Sequence, residues 1–150
     1  MVRAVAFSTW FLLEFIQPLA ASTPVLVRVD PPGGQLGTEV EVRFQGERLD
    51  DMSAALFYEP GLTLSGLQVT DGKLATAKIA IAADARLGEH PLRLAGPGGV
   101  TEVRSFWVGA FPVIQETEPN SSTGTPQPID LNRTVHGVAG NEDDDCYIVT

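Results

Sequence analysis

A chain of 150 residues with 43% hydrophobic content is long enough to bury a core of ordinary size, and its 15 glycines and 11 prolines argue against long helices. The net charge of −9 is uneven: residues 23–115 carry eleven acids against eight bases, residues 116–150 seven against one. Such a surface repels phosphate backbones and its few bases are dispersed, which excludes nucleic acid as a natural partner and leaves cations as plausible small ones.

The first 22 residues, MVRAVAFSTWFLLEFIQPLAAS, combine a basic start at Arg3, an apolar stretch of roughly a dozen residues and a small-residue exit at Ala20-Ala21-Ser22. That pattern predicts a secretory signal peptide over 1–22, removed on export. The stretch, interrupted by Glu14, falls short of the roughly 20 apolar residues of a membrane-spanning helix, and no second candidate follows, so no membrane span is expected in the mature chain. A single cysteine, Cys146, allows no intrachain disulfide in the oxidising compartment this implies, and is read as a small buried hydrophobe.

From Thr23 the chain reads as short strands between turn signals. In VLVRV, alternation places Val25, Val27 and Val29 on one face, and PPGG at 31–34 breaks the run. TEVEVRF alternates most cleanly, with Val40, Val42 and Phe44 opposite Glu39, Glu41 and Arg43, as a half-solvated antiparallel strand requires. Further strands are predicted at 54–58, 62–70, 74–82, 90–95 and 100–109. The Asp71-Gly72 pair suits a tight hairpin turn, and of the adjacent Phe106 and Trp107 one must face the core and the other the surface. Evenly spaced short strands of this kind predict an all-β protein built as a β-sandwich, and the resemblances carried by the residues below imply that it is an immunoglobulin-like β-sandwich with an incomplete second β domain at the C-terminus.

The order Asp30-Pro31-Pro32-Gly33-Gly34, Gly37-Thr38-Glu39-Val40-Glu41-Val42, Gly46-Glu47-Arg48-Leu49, Ala83 to His90 and Phe106-Trp107-Val108 resembles an IPT/TIG-type immunoglobulin-like domain over about 23–110. Domains of that family are binding or spacer modules of surface, exported or regulatory proteins. Residues 111–150 contain Glu116-x-Glu118-Pro119-Asn120, Pro128-Ile129-Asp130-Leu131, Thr134-Val135-x-Gly137 and an acidic turn before Cys146-Tyr147. This is similar to the start of bacterial pre-peptidase C-terminal domains, with Cys146 where that family commonly has an aromatic residue. The resemblance implies a linker and a partial β domain, part of a longer exported protein or of a truncated gene product, and poor packing of 116–150 alone.

Little in the chain suggests catalysis. No G-x-S-x-G nucleophile elbow occurs, Cys146 has no basic partner nearby, and His90, read as a turn residue, and His136 fall in different predicted domains. One cysteine and two distant histidines do not make a zinc set. Calcium is the sharper expectation, because Glu116, Glu118, Asn120, Asp143 and Asp145 supply hard oxygen ligands from two segments. Some collagen-binding relatives of pre-peptidase domains use such an E-P-N linker and a later Asp, which implies that the fold brings the segments together. The competing reading is a turn closed by Asn120 and a solvated NEDDD loop. Phe57-Tyr58 with Trp107 is either an aromatic surface for sugar or peptide or ordinary sandwich packing. The function expected is a non-catalytic spacer, adhesion or substrate-targeting module, secreted or on the cell surface, with extracellular polysaccharide or protein as partner. The alternatives are an accessory region of a secreted peptidase and a calcium-dependent carbohydrate- or matrix-binding module.

Overall fold

The computed structural model describes residues 23–138, 140–141 and 143–150; the signal peptide expected over 1–22 lies outside the described residues. The architecture is all-β, and every strand expected between 25 and 109 is present. One sheet runs β1 (Val25–Asp30), β3 (Glu39–Glu47), β6 (Leu74–Ile81), β5 (Leu62–Asp71), antiparallel throughout. The facing sheet runs β2 (Gly33–Gln35), β9 (Arg104–Gly109), β7 (Gly88–Gly96), β4 (Ala54–Phe57), with β8 (Gly99–Val100) folded back on β7.

Alternation explains the core. Val42 and Phe44 of β3, Ala75, Ala77, Ile79 and Ile81 of β6, Leu92 and Leu94 of β7, and Phe106 and Val108 of β9 are buried, each separated from the next by an outward-facing neighbour. Phe106 is fully buried and Trp107 55% exposed, so the last strand divides its aromatics as the alternation requires.

Two local expectations are corrected, and a third gains its detail. In β1 the buried pair is Leu26 and Val29, and Val27 is 59% exposed. A register shift between Leu26 and Arg28 leaves Val27 without a ladder partner, and one extra residue in a strand reverses the facing of what precedes it. The PPGG segment does not merely break the chain, since Gly33–Gln35 pairs in parallel with Trp107–Gly109. That approach needs glycine at 33, where a Cβ would meet the Trp107 carbonyl, and the facing sheet needs it at 34, where a Cβ would lie 2.5 Å from Val40 Cγ2 and 2.7 Å from Ile81 Cδ1. The Asp71-Gly72 turn is closed by a side chain, Asp71 Oδ1 accepting from the amides of Lys73 (2.8 Å) and Leu74 (2.9 Å).

His90 is likewise no turn residue. It lies within β7, fully buried, its ring 2.6 Å from the Arg86 carbonyl. A carbonyl can only accept, so Nε2 carries the proton.

Beyond Gly109 the chain forms two small parallel pairs, β10 (Val113–Gln115) with β12 (Thr134–His136) and β11 (Gln127–Ile129) with β13 (Tyr147–Val149). Among the described residues of this segment the only fully buried side chain is Asn120, while Leu131, Val138, Ile148 and Val149 are exposed. Residues 116–150 therefore add no large apolar side chain to the buried core, and polar contacts carry much of their order.

Candidate metal centre

The chain leaves β10 directly into Glu116, whose amide donates to the His136 carbonyl (2.9 Å) and so starts the acidic segment beside the end of β12. Its carboxylate is heavily used. Oε2 accepts from the Val138 amide (3.0 Å), and Oε1 accepts from Asn120 Nδ2 (2.9 Å) and from the Tyr147 hydroxyl. Pro119 turns the chain so that the Asn120 amide donates back to Glu118 Oε2 at 2.8 Å. The Asn120 carbonyl then accepts from the Cys146 amide at 3.0 Å, which ties the E-P-N turn to the acidic loop before β13. Cys146 is half-buried, neither a core residue nor freely exposed.

These contacts bring carboxylate oxygens of Glu116, Glu118 and Asp145 within 4.8 Å of one another. Asn120 lies against Glu116, and its Oδ1 is buried without a hydrogen-bond partner among the described residues. A buried amide oxygen left unpaired costs about 1–3 kcal/mol, so it is a natural place for an electropositive partner. Asp143 is on the same loop, but its carboxylate accepts from the Gly140 amide at 3.2 Å instead of joining the cluster.

The charges respond to this crowding. Glu116 is held down at about 2, chiefly by the Tyr147 hydroxyl and then by the Asn120 amide. Tyr147 is pushed up to about 12, because its proton is held by the Glu116 carboxylate. Asp145 is raised, first by desolvation, then by its hydrogen bond to Glu116 and by the charges of Glu116, Asp143 and Glu118. Like-charged carboxylates this close cannot all ionise freely, and Asp145 is the one that retains a proton most readily. A hard divalent cation meeting these oxygens would relieve the same repulsion, so the donor set fits calcium in chemistry.

A second concave feature lies where the two parts of the chain meet. A groove of about 450 Å³ runs between the edge of the second sheet at β2 and β9 and the pair β10–β12, with Trp107 on one wall and Val113, Val135 and His136 on the other. The pattern of alternation could place Trp107 outward, but only the docking of β12 reveals that it faces another element. Tyr58 is also exposed, whereas Phe57 packs against the core.

No family model matches the sequence, and no curated protein does. Among solved structures the chain is similar to the Bacteroides ovatus mixed-linkage glucan utilization locus protein SGBP-B, in complex with a mixed-linkage heptasaccharide, at 12% identity and a TM-score of 0.40. The likeness covers 58% of this chain and 24% of that one, so this chain spans about a quarter of its length.

Proposed function

We propose that the chain is a non-catalytic module of an exported protein, an IPT/TIG-type sandwich followed by a pre-peptidase-type segment, which serves as a spacer or targeting element and whose C-terminal segment is clamped by calcium. The observation that carries the metal reading is the gathering of carboxylate oxygens of Glu116, Glu118 and Asp145 within 4.8 Å, next to Asn120, whose buried Oδ1 has no partner among the described residues. The secretory pattern of residues 1–22 supports the compartment, because sites in extracellular modules work at calcium dissociation constants of about 0.1–1 mM.

The ion would do what apolar packing does not do in 116–150. It would join the linker after β10 to the loop before β13, fixing β12 and β13 relative to the sandwich. Calorimetric titration of calcium into the chain, with thermal unfolding followed with and without the ion, tests this. Saturable heat with a raised midpoint is expected, since a ligand that binds only the native state stabilises it. Absence of both heat and shift would remove the metal and leave a solvated linker behind a spacer sandwich.

A further inference from the structure

We infer that the groove between the sandwich and β12 is a binding site for a neutral pyranose, with the Trp107 indole as its platform. Its volume, about 450 Å³, lies in the range of small-molecule sites, and its lining is mainly apolar with a few convergent polar groups, as such sites require. Three features select the ligand class. The first is an indole that is 55% exposed within the concavity, beside Gly33, which has no side chain to cover it. A sugar ring presents a flat C–H face to such a surface, and its hydroxyls point outward to the rim.

The second feature is the rim itself. Thr134 offers a hydroxyl, and His136 offers a ring already oriented by Gln115 Nε2 at 3.2 Å from its Nδ1, with Asp30 Oδ1 3.9 Å from its Nε2. The Gln115 contact holds the imidazole in place, and Nε2, beyond hydrogen-bond distance of Asp30, is the ring nitrogen that a hydroxyl would meet with little ordering cost. The third is charge. Asp30 stands by His136, Glu89 pairs with Trp107 across β7 and β9, and the chain as a whole carries −9, which disfavours phosphates and uronic acids. A quaternary ammonium is recognised by a cage of aromatic faces, whereas the groove offers one indole, Trp107. A neutral sugar with one apolar face and a hydroxylated edge satisfies all three.

The proposal stands apart from the calcium reading, although the two communicate. The far wall is β12, and Glu116 holds it through the His136 carbonyl and the Val138 amide. A clamped tail therefore presents a preformed groove.

The test is tryptophan fluorescence of the full chain titrated with cello-, xylo-, manno- and laminarihexaose, each in millimolar calcium and again in EGTA. The chain has two tryptophans, Trp10 and Trp107, so Trp107→Phe assigns the signal. At least one hexasaccharide should give a saturable change, absent in Trp107→Phe. Affinity measured by calorimetry should fall roughly 30-fold or more in Trp107→Ala, the size of a hot-spot truncation, and about tenfold in His136→Ala. No saturable response to any of the four in calcium overturns the proposal, as does a response to choline or a basic peptide but to no sugar. The arms separate the two readings: sugar binding that persists without any calcium heat leaves the groove and removes the metal, whereas calcium heat without sugar binding does the reverse.

Discussion

Glu116 and Asp145 lie in one carboxylate cluster and are pushed in opposite directions, Glu116 down to about 2 and Asp145 upward. Glu116 is ionised because three donors, Tyr147, Asn120 and the Val138 amide, converge on it. Asp145 is left with the repulsion. Asp145→Asn should therefore remove like-charge strain and raise the midpoint of the metal-free protein slightly at pH 7, while abolishing calcium binding. Calorimetry and thermal unfolding of this one variant give both readings; a metal-free midpoint lowered at pH 7 would contradict the repulsion argument.

The same contacts set a pH window. The folded-state value of Glu116 is lowered from 4.5 to about 2, so its contribution is fully present above 4.5 and is lost as pH falls through that interval. Tyr147 is raised from 10.0 to about 12, so its contribution is present below 10 and disappears as pH rises towards 12. Asp145, raised above 3.8, acts against folding once pH passes its ordinary value. Proton release on calcium binding should follow, with affinity weakening as pH falls through the Asp145 range. Titration within that acidic range, in two buffers of different ionisation enthalpy, measures it, and equal heats in both there would argue against a proton on Asp145.

Adjacent residues in β9 should differ sharply in cost. Phe106→Ala removes a fully buried ring and is expected to destabilise by about 3–5 kcal/mol. Trp107→Ala, at an exposed position, should cost under about 1 kcal/mol in denaturant unfolding. This contrast also licenses Trp107 variants as folded probes of the groove.

The bulge in β1 makes a comparable prediction. Leu26→Ala should cost about 2–5 kcal/mol, whereas Val27→Thr should stay within about 0.5 kcal/mol of the parent. Strict alternation from Val25 would give the opposite order, so the pair of urea midpoints discriminates between the two registers.

Gly34→Ala places a methyl against Val40 Cγ2 and Ile81 Cδ1, which cannot both retreat from a packed core. A loss of about 1–3 kcal/mol is expected, with faster amide exchange in β2, since that strand must back away from the facing sheet and so strain its pairing with β9. Unchanged protection at Gln35 and Leu36 would show that β2 is not held by this approach.

Period-two alternation in Glu39–Glu47, Leu74–Ile81 and Arg104–Gly109 was enough to read the sandwich and to assign Val42, Phe44 and one of the Phe106–Trp107 pair to its core, because strand geometry alone dictates which side chains share a face. The acidic residues of the E-P-N and NEDDD segments were also legible as oxygen donors. What alternation could not carry was register between distant segments. The bulge at Val27, the burial of His90 and the pairing of Gly33–Gln35 with β9 arise from non-local partners. Tertiary structure likewise decided that Asp145 and not Asp143 meets Glu116 and Glu118, because the Asn120 carbonyl captures the Cys146 amide and Gly140 occupies Asp143. Trp107 was an outward residue on its strand, and only the return of β12 against the sheet edge gave it a groove, since a concavity needs two walls and the sequence of one strand describes only its own.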